Sequence, residues 1–180
     1  RYVPDAASRG AGLILVPADR SIDALRGHIA HAPKSLYRVS LPGADSPLIW
    51  LHPRASQIIG DVAAHVHGRP AASLAIAGVT GTNGKTSVCH LASQLLRAAG
   101  KAPAILGTAG HMLRSESGPL HLEASHTTPD ATSVQRLLAR HVRGGGDCAV
   151  MEASSHALVQ GRLAGMRLEV GAFTNLTREQ

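Results

Sequence analysis

The residues best equipped for chemistry lie in the run Gly78-Val79-Thr80-Gly81-Thr82-Asn83-Gly84-Lys85-Thr86-Ser87. From Gly81 onward, Gly81, Thr82, Asn83, Gly84, Lys85, Thr86 and Ser87 make a glycine-rich turn that ends in a lysine and two hydroxyls. Between a buried strand and a helix, such a turn wraps backbone N–H groups around an anion, and phosphate suits it best. Lys85 then reaches the β- and γ-phosphates of a nucleotide, and the Thr86 hydroxyl holds Mg²⁺. The strict phosphate-loop pattern has a further glycine where this chain has Val79. The flanks nevertheless have the required character. Leu74 to Val79 is an apolar run of strand length, and Val88, Leu91, Ala92, Leu95, Leu96 and Ala99 recur at helical spacing until Gly100. The expected ligand is ATP with Mg²⁺.

Two more segments carry polar groups at element ends. His126-Thr127-Thr128-Pro129-Asp130-Ala131 sets two adjacent hydroxyls at a helix entrance, where an anionic or polar ligand fits. Met151-Glu152-Ala153-Ser154-Ser155-His156-Ala157-Leu158 sets a carboxylate directly after a buried strand, and Gln160 and Arg162 follow within the expected next helix. A strand-end carboxylate beside a phosphate loop is where a Mg²⁺ ligand belongs, which nominates Glu152 together with Thr86. Each segment also has a purely structural alternative: Thr128 as a helix cap, Glu152 as a helix-start charge, Arg162 as solvated surface.

These groups need a scaffold, and the sequence outlines one. Residues 73–180 alternate apolar strands with helical runs, the pattern of a mostly parallel sheet covered on both faces. The expected order is a strand at Leu74–Val79, the helix after the loop, and a strand at Ala104–Thr108. Next come a helix opened by Thr128-Pro129-Asp130 and ended by Gly144-Gly145-Gly146, and a strand at Cys148–Met151. A helix from Ser155 to Leu163 and a strand from Leu168 to Phe173 complete it. In such sheets ligands collect at the carboxyl ends of the strands, where the loop, Glu152 and Thr174-Asn175 all emerge.

Residues 1–72 form a smaller α/β unit. It has a helix ending near Arg9, a strand at Leu13–Val16, a helix from Ser21 to Ala30 capped by Ser21, a strand at Leu48–Leu51 and a helix after Pro53. Gly68-Arg69-Pro70 marks the junction, so His65 and His67 beside it are expected to be exposed.

Composition narrows the function classes. One Trp, one Phe and two Tyr leave few stacking platforms for single-stranded nucleic acid, and no nucleic-acid partner is expected. The net charge of +6 favours anionic partners, a condition that nucleotides meet. Cys89 and Cys148 have no paired spacing and are expected to be buried, reduced thiols of a cytoplasmic protein. No stretch reaches membrane-spanning length and no signal peptide is visible, so no membrane insertion is expected. The chain opens at Arg1 and stops at Gln180 just after a strand, and it is expected to be a piece of a longer protein.

Taken together, Gly78–Thr86 (GVTGTNGKT), Thr127–Ala131 (TTPDA), Met151–Leu158 (MEASSHAL), Gln160-Gly161-Arg162 and Phe173–Thr177 (FTNLT) resemble the Mur ligase family, MurE type. Asp5–Ala11 loosely resembles the back part of that family's UDP-binding domain. The resemblance implies an ATP-dependent ligase of bacterial peptidoglycan synthesis. Such an enzyme joins a diamino acid, meso-diaminopimelate or L-lysine, to UDP-N-acetylmuramoyl-L-alanyl-D-glutamate through an acyl phosphate. It implies that Thr127, Thr128, Ser154, Gln160 and Arg162 contact the UDP-muramoyl-dipeptide; His156 is similar in position to a family motif residue, and we assign it no catalytic role.

The family usually follows Asn-Leu with Thr-Arg-Asp-His, its histidine lying near a second Mg²⁺. Here the text is Thr177-Arg178-Glu179-Gln180, and an amide is a poor substitute for imidazole. The chain by itself is expected not to ligate. Alternatives are a folylpolyglutamate- or cyanophycin-synthetase-like ligase, or a nucleotide-binding protein whose ligase activity has lapsed.

Overall fold

Two sheets organise the chain, and a computed structural model describes residues 2–17, 29–30, 36–39 and 47–176 of it. The packing divides into two units, Arg1–Ser56 and Gln57–Gln180. In the first, helix α1 (Tyr2–Ser8) precedes β1 (Leu13–Pro17), β2 (Ile29–Ala30), β3 (Leu36–Val39) and β4 (Leu48–His52). The sheet order is β1-β4-β3-β2, with β1 parallel to β4 and the other pairs antiparallel. The helix expected over Ser21–Ala30 falls largely outside the described residues. Its last two positions are not helical, because Ile29 and Ala30 pair with Val39 and Arg38.

The second unit holds the loop. Helix α2 (Ala55–Val66) and a 3₁₀ turn at Pro70–Ser73 lead into β5 (Ala75–Thr80), α3 (Lys85–Ala98) and β6 (Pro103–Gly107). Then come β7 (Gly110–Ser115), β8 (Gly118–Leu122), α4 (Ala131–Arg143), β9 (Cys148–Glu152), α5 (Ser155–Val159) and β10 (Val170–Phe173). The unit starts one helix earlier than the expected junction. The reason is a close crossing: a Cβ at Gly60 would overlap the backbone of Ala164, so α2 lies directly on the turn after α5. His65 is exposed in the last turn of α2, and His67 just beyond it is half-buried.

The sheet order is β10-β5-β9-β6-β7-β8. β10, β5, β9 and β6 run parallel, whereas β7 and β8 are antiparallel. Every residue of β6 and β9 is buried, as befits interior parallel strands with helices on both faces. On one face Ile76, Leu106 and Met151 pack against Val134, Leu137 and Leu138 of α4; on the other, Val79, Ile105 and Val150 pack against Cys89 of α3. Truncating Leu138, which is 1 % exposed, to Ala would cost about 2–5 kcal/mol. Cys89 and Cys148 are both buried and unpaired.

The β7–β8 hairpin has no counterpart in the sequence reading. His111, Arg114 and Ser115 interrupt its apolar pattern, and the ladder to β6 supplies the order instead. Behind the hairpin, His141 of α4 is fully buried. Its Nδ1 accepts from the Arg114 amide at 3.0 Å, and its Nε2 donates to Ala102 O at 3.0 Å and Cys148 O at 3.1 Å.

Candidate functional site

The loop leaves β5 at Thr80, turns through Gly81 (φ +129°) and enters α3 through Gly84 (φ +84°), both left-handed conformations that favour glycine. Lys85 is the first residue of α3. The first amides of α3 have no partner within the helix, so they face the loop as donors for an anion. The Lys85 ammonium lies over the turn, donating to Gly81 O at 2.6 Å and Thr82 O at 3.0 Å. Ser87 is exposed on the first turn of the helix.

Glu152 ends β9 and is 1 % exposed, yet it lies against the loop. Its Oε1 accepts from Thr86 Oγ1 at 2.9 Å and from the Thr108 amide at 2.8 Å, while Oε2 lies 3.1 Å from Thr108 Oγ1. A Cβ at Gly107 would overlap this carboxylate and force it to shift. Burial, with the Glu152 charge adding to it, pushes the neighbouring Cys89 thiol up to about 12, which leaves it inert as a nucleophile. Thr86 and Glu152 bring two hard oxygen donors side by side. Among the described residues no cluster of three or more His, Cys, Asp or Glu side chains gathers around a point. Two protein oxygens suit Mg²⁺, which keeps several waters and takes phosphate oxygens for the rest, so the donor set fits that ion.

Beside Lys85 opens a cleft of about 570 Å³, walled by Thr108, His126, Thr127, Ser154, His156 and Arg162 among others. Thr127 Oγ1 lies 3.1 Å from Thr108 Oγ1, which links the cleft to the Glu152 carboxylate. Thr128 is fully buried; its hydroxyl donates to Glu152 O at 2.7 Å and accepts from the Ser154 amide at 3.1 Å. It is not the cap of α4. Asp130 is, accepting from the amides of Thr132 and Ser133. Burial would raise the Asp130 carboxyl, but the hydrogen bonds from Thr132 and Ser133 outweigh it and hold it at about 2.

Gln160 and Arg162 do not share a helix. α5 stops at Val159, Gln160 caps it, and Gly161 (φ +66°) turns the chain. That turn brings Arg162 back to donate to Thr128 O at 2.7 Å and to Gln160 Oε1 at 2.9 Å. Ser154 caps α5, its Oγ accepting from the Ala157 amide at 3.2 Å.

Lys85, Thr86, Glu152, Thr127, Thr128, Ser154 and Arg162 thus converge on one end of the sheet, with Gln160 reaching it through Arg162. Sequence reasoning missed Thr108, whose signal was its place after Gly107 at a strand end. It placed Thr174 and Asn175 at this edge without giving them a role. The expected Gln180 departure lies outside the described residues.

A buried parallel strand, a glycine loop, Lys-Thr at the head of a helix and a carboxylate at the end of the adjacent strand define an α/β domain of the phosphate-loop type. Its relatives are more particular. Residues 79–179 match the Mur ligase middle domain, and the chain belongs to the Mur ligase family. It is 40% identical over 179 residues to a UDP-N-acetylmuramoyl-L-alanyl-D-glutamate–2,6-diaminopimelate ligase of Alkalilimnicola ehrlichii, covering 99% of this chain and 33% of that protein. A ligase of the same description from Pseudomonas aeruginosa is 41% identical over 180 residues, covering 99% of this chain and 32% of that protein. A solved structure of such a ligase superposes with a TM-score of 0.63 at 33% identity, covering 78% of this chain and 28% of that one. The chain therefore spans about a third of the length of the curated relatives it matches.

Proposed function

We propose that this chain is the nucleotide-handling part of a cytoplasmic ligase that joins 2,6-diaminopimelate to UDP-N-acetylmuramoyl-L-alanyl-D-glutamate at the expense of ATP, in peptidoglycan synthesis. The carboxylate of the nucleotide-linked dipeptide takes the γ-phosphoryl group of ATP, and the incoming amine displaces phosphate to form the amide. The chain's own residues supply charge and position for that transfer, not a nucleophile. Lys85 and the first amides of α3 receive the phosphates, and Thr86 and Glu152 hold Mg²⁺. Bound there, Mg²⁺ offsets negative charge on phosphoryl oxygens. Thr127, Ser154 and Arg162 meet the muramoyl dipeptide in the cleft, and Thr128 and Gln160 keep Ser154 and Arg162 in place.

The 2.9 Å hydrogen bond between Thr86 and Glu152 carries this reading, because it joins loop and carboxylate across 66 residues. The names of the relatives favour diaminopimelate over L-lysine as the added amino acid. The test is phosphate release by an intact ligase carrying this chain, supplied with ATP, Mg²⁺ and the UDP-linked dipeptide, with each amino acid added in turn. Release that depends on 2,6-diaminopimelate is expected. ATP binding with no release under any addition would leave a lapsed ligase instead.

A further inference from the structure

The phosphate loop is held from outside by the two residues that follow β10. The side-chain amide of Asn175 grips the backbone of Asn83 at two points: Asn83 N donates to Oδ1 at 3.1 Å, and Nδ2 donates to Asn83 O at 3.1 Å. The Thr82 amide donates to Asn175 O at 3.2 Å. Thr174 Oγ1 lies 2.6 Å from Asn83 O and 3.2 Å from Thr80 O, and the Thr174 amide donates to Thr80 O at 3.0 Å. A Cβ on Gly81 would overlap the Thr174 hydroxyl, so the glycine there admits this contact as well as its own left-handed turn.

We propose that Thr174 and Asn175 are positioning residues that preset the phosphate loop before a nucleotide arrives, and that through them nucleotide binding is coupled to β10; this rests on the nucleotide reading above. A loop with glycines at positions 81 and 84 gains conformational freedom when untied, and ordering it on binding would weaken affinity. The clamp removes most of that freedom in advance. It also divides the loop. The amides of Thr82 and Asn83 serve Asn175, so the anion falls to the Lys85 ammonium and the amides from Gly84 onward. Coupling is reciprocal: whatever steadies the loop also steadies Thr174 and Asn175, about ninety residues further along the chain.

The experiment compares an intact ligase carrying this chain with its Asn175→Ala, Thr174→Val and Thr174→Ser variants. Amide exchange at Asn83 is read in nucleotide-free protein, and ATP affinity is titrated in the presence of Mg²⁺. Asn175→Ala and Thr174→Val are expected to speed Asn83 exchange and weaken ATP binding, each about tenfold, with the nucleotide-free melting temperature lowered by only a few degrees. Thr174→Ser, which keeps the hydroxyl, should restore both. In wild type, ATP should slow exchange over residues 170–175, and Asn175→Ala should abolish that protection. Wild-type exchange at Asn83 together with wild-type ATP affinity in both disruptive variants would overturn the clamp. If wild type bound no ATP, the nucleotide reading would fall, and Asn83 exchange would still decide whether the loop is preset.

Discussion

At the amino-terminal edge of the parallel strands His141 is buried among backbone groups; at their carboxyl edge Lys85, Thr86 and Glu152 gather beside a cleft. Both clusters are polar, and both join segments distant in sequence. They differ in what remains unused. His141 has two ring nitrogens, and both are engaged with Arg114, Ala102 and Cys148, so the cluster is closed. At the other edge the lysine ammonium and a threonine hydroxyl are only half-buried, and the first amides of α3 have no partner inside the helix. A fully satisfied polar knot fixes structure, whereas a supported but incompletely satisfied one can take a ligand.

The sharpest way to break this contrast is at Lys85. Lys85→Ala in an intact ligase should lower turnover by about 10²–10³, as for loss of a transition-state charge partner, with folding stability little changed. Phosphate release and thermal melting check the two halves; an unchanged rate would remove Lys85 from the phosphate site. The complementary change is His141→Ala. It leaves the Arg114 amide without its imidazole acceptor and takes one donor from the Ala102 and Cys148 carbonyls, and should cost about 2–4 kcal/mol in denaturant unfolding while ATP affinity stays at the wild-type value. Weakened ATP binding there would mean that the two edges communicate.

Smaller effects sharpen the comparison. Glu152→Ala should raise the Mg²⁺ concentration for half-maximal phosphate release about tenfold, reporting one lost carboxylate ligand. A flat Mg²⁺ dependence would make Glu152 purely structural. The smallest effect is on stability against pH. Burial lowers the His141 pKa below its usual 6.5, since desolvation outweighs its carbonyl partners. The unfolded chain then binds the proton more readily, so His141's contribution is full above 6.5 and declines as pH falls below it. Asp130, held at about 2 against an ordinary 3.8, keeps its contribution above 3.8 and loses it as pH falls towards 2. Melting curves should show two limbs, with His141→Gln flattening the upper one and Asp130→Asn the lower.

Much of the second unit was legible because its signals are local. Gly-Lys-Thr between an apolar hexamer and a helical repeat needs no long-range information, and runs such as Cys148–Met151 are apolar enough to mark buried strands. The hairpin at 110–122 was not legible. Its order comes from pairing with β6, and His111, Arg114 and Ser115 conceal the alternation. The end of α5 was missed because the apolar residues Leu158, Val159 and Leu163 continue a helical spacing that Gly161 interrupts.

The sequence by itself determined the element types around the loop, the lysine and hydroxyl at the head of α3, and the family. Tertiary structure alone decided that Thr108 and Thr86 share the Glu152 carboxylate, that Thr128 faces inward, and that Asn175 grips the loop. The physical reason is the range of the interactions. Helix starts and strand runs are written in neighbouring residues, whereas a hydrogen bond across 44, 66 or 92 positions exists only once parallel strands bring their ends together.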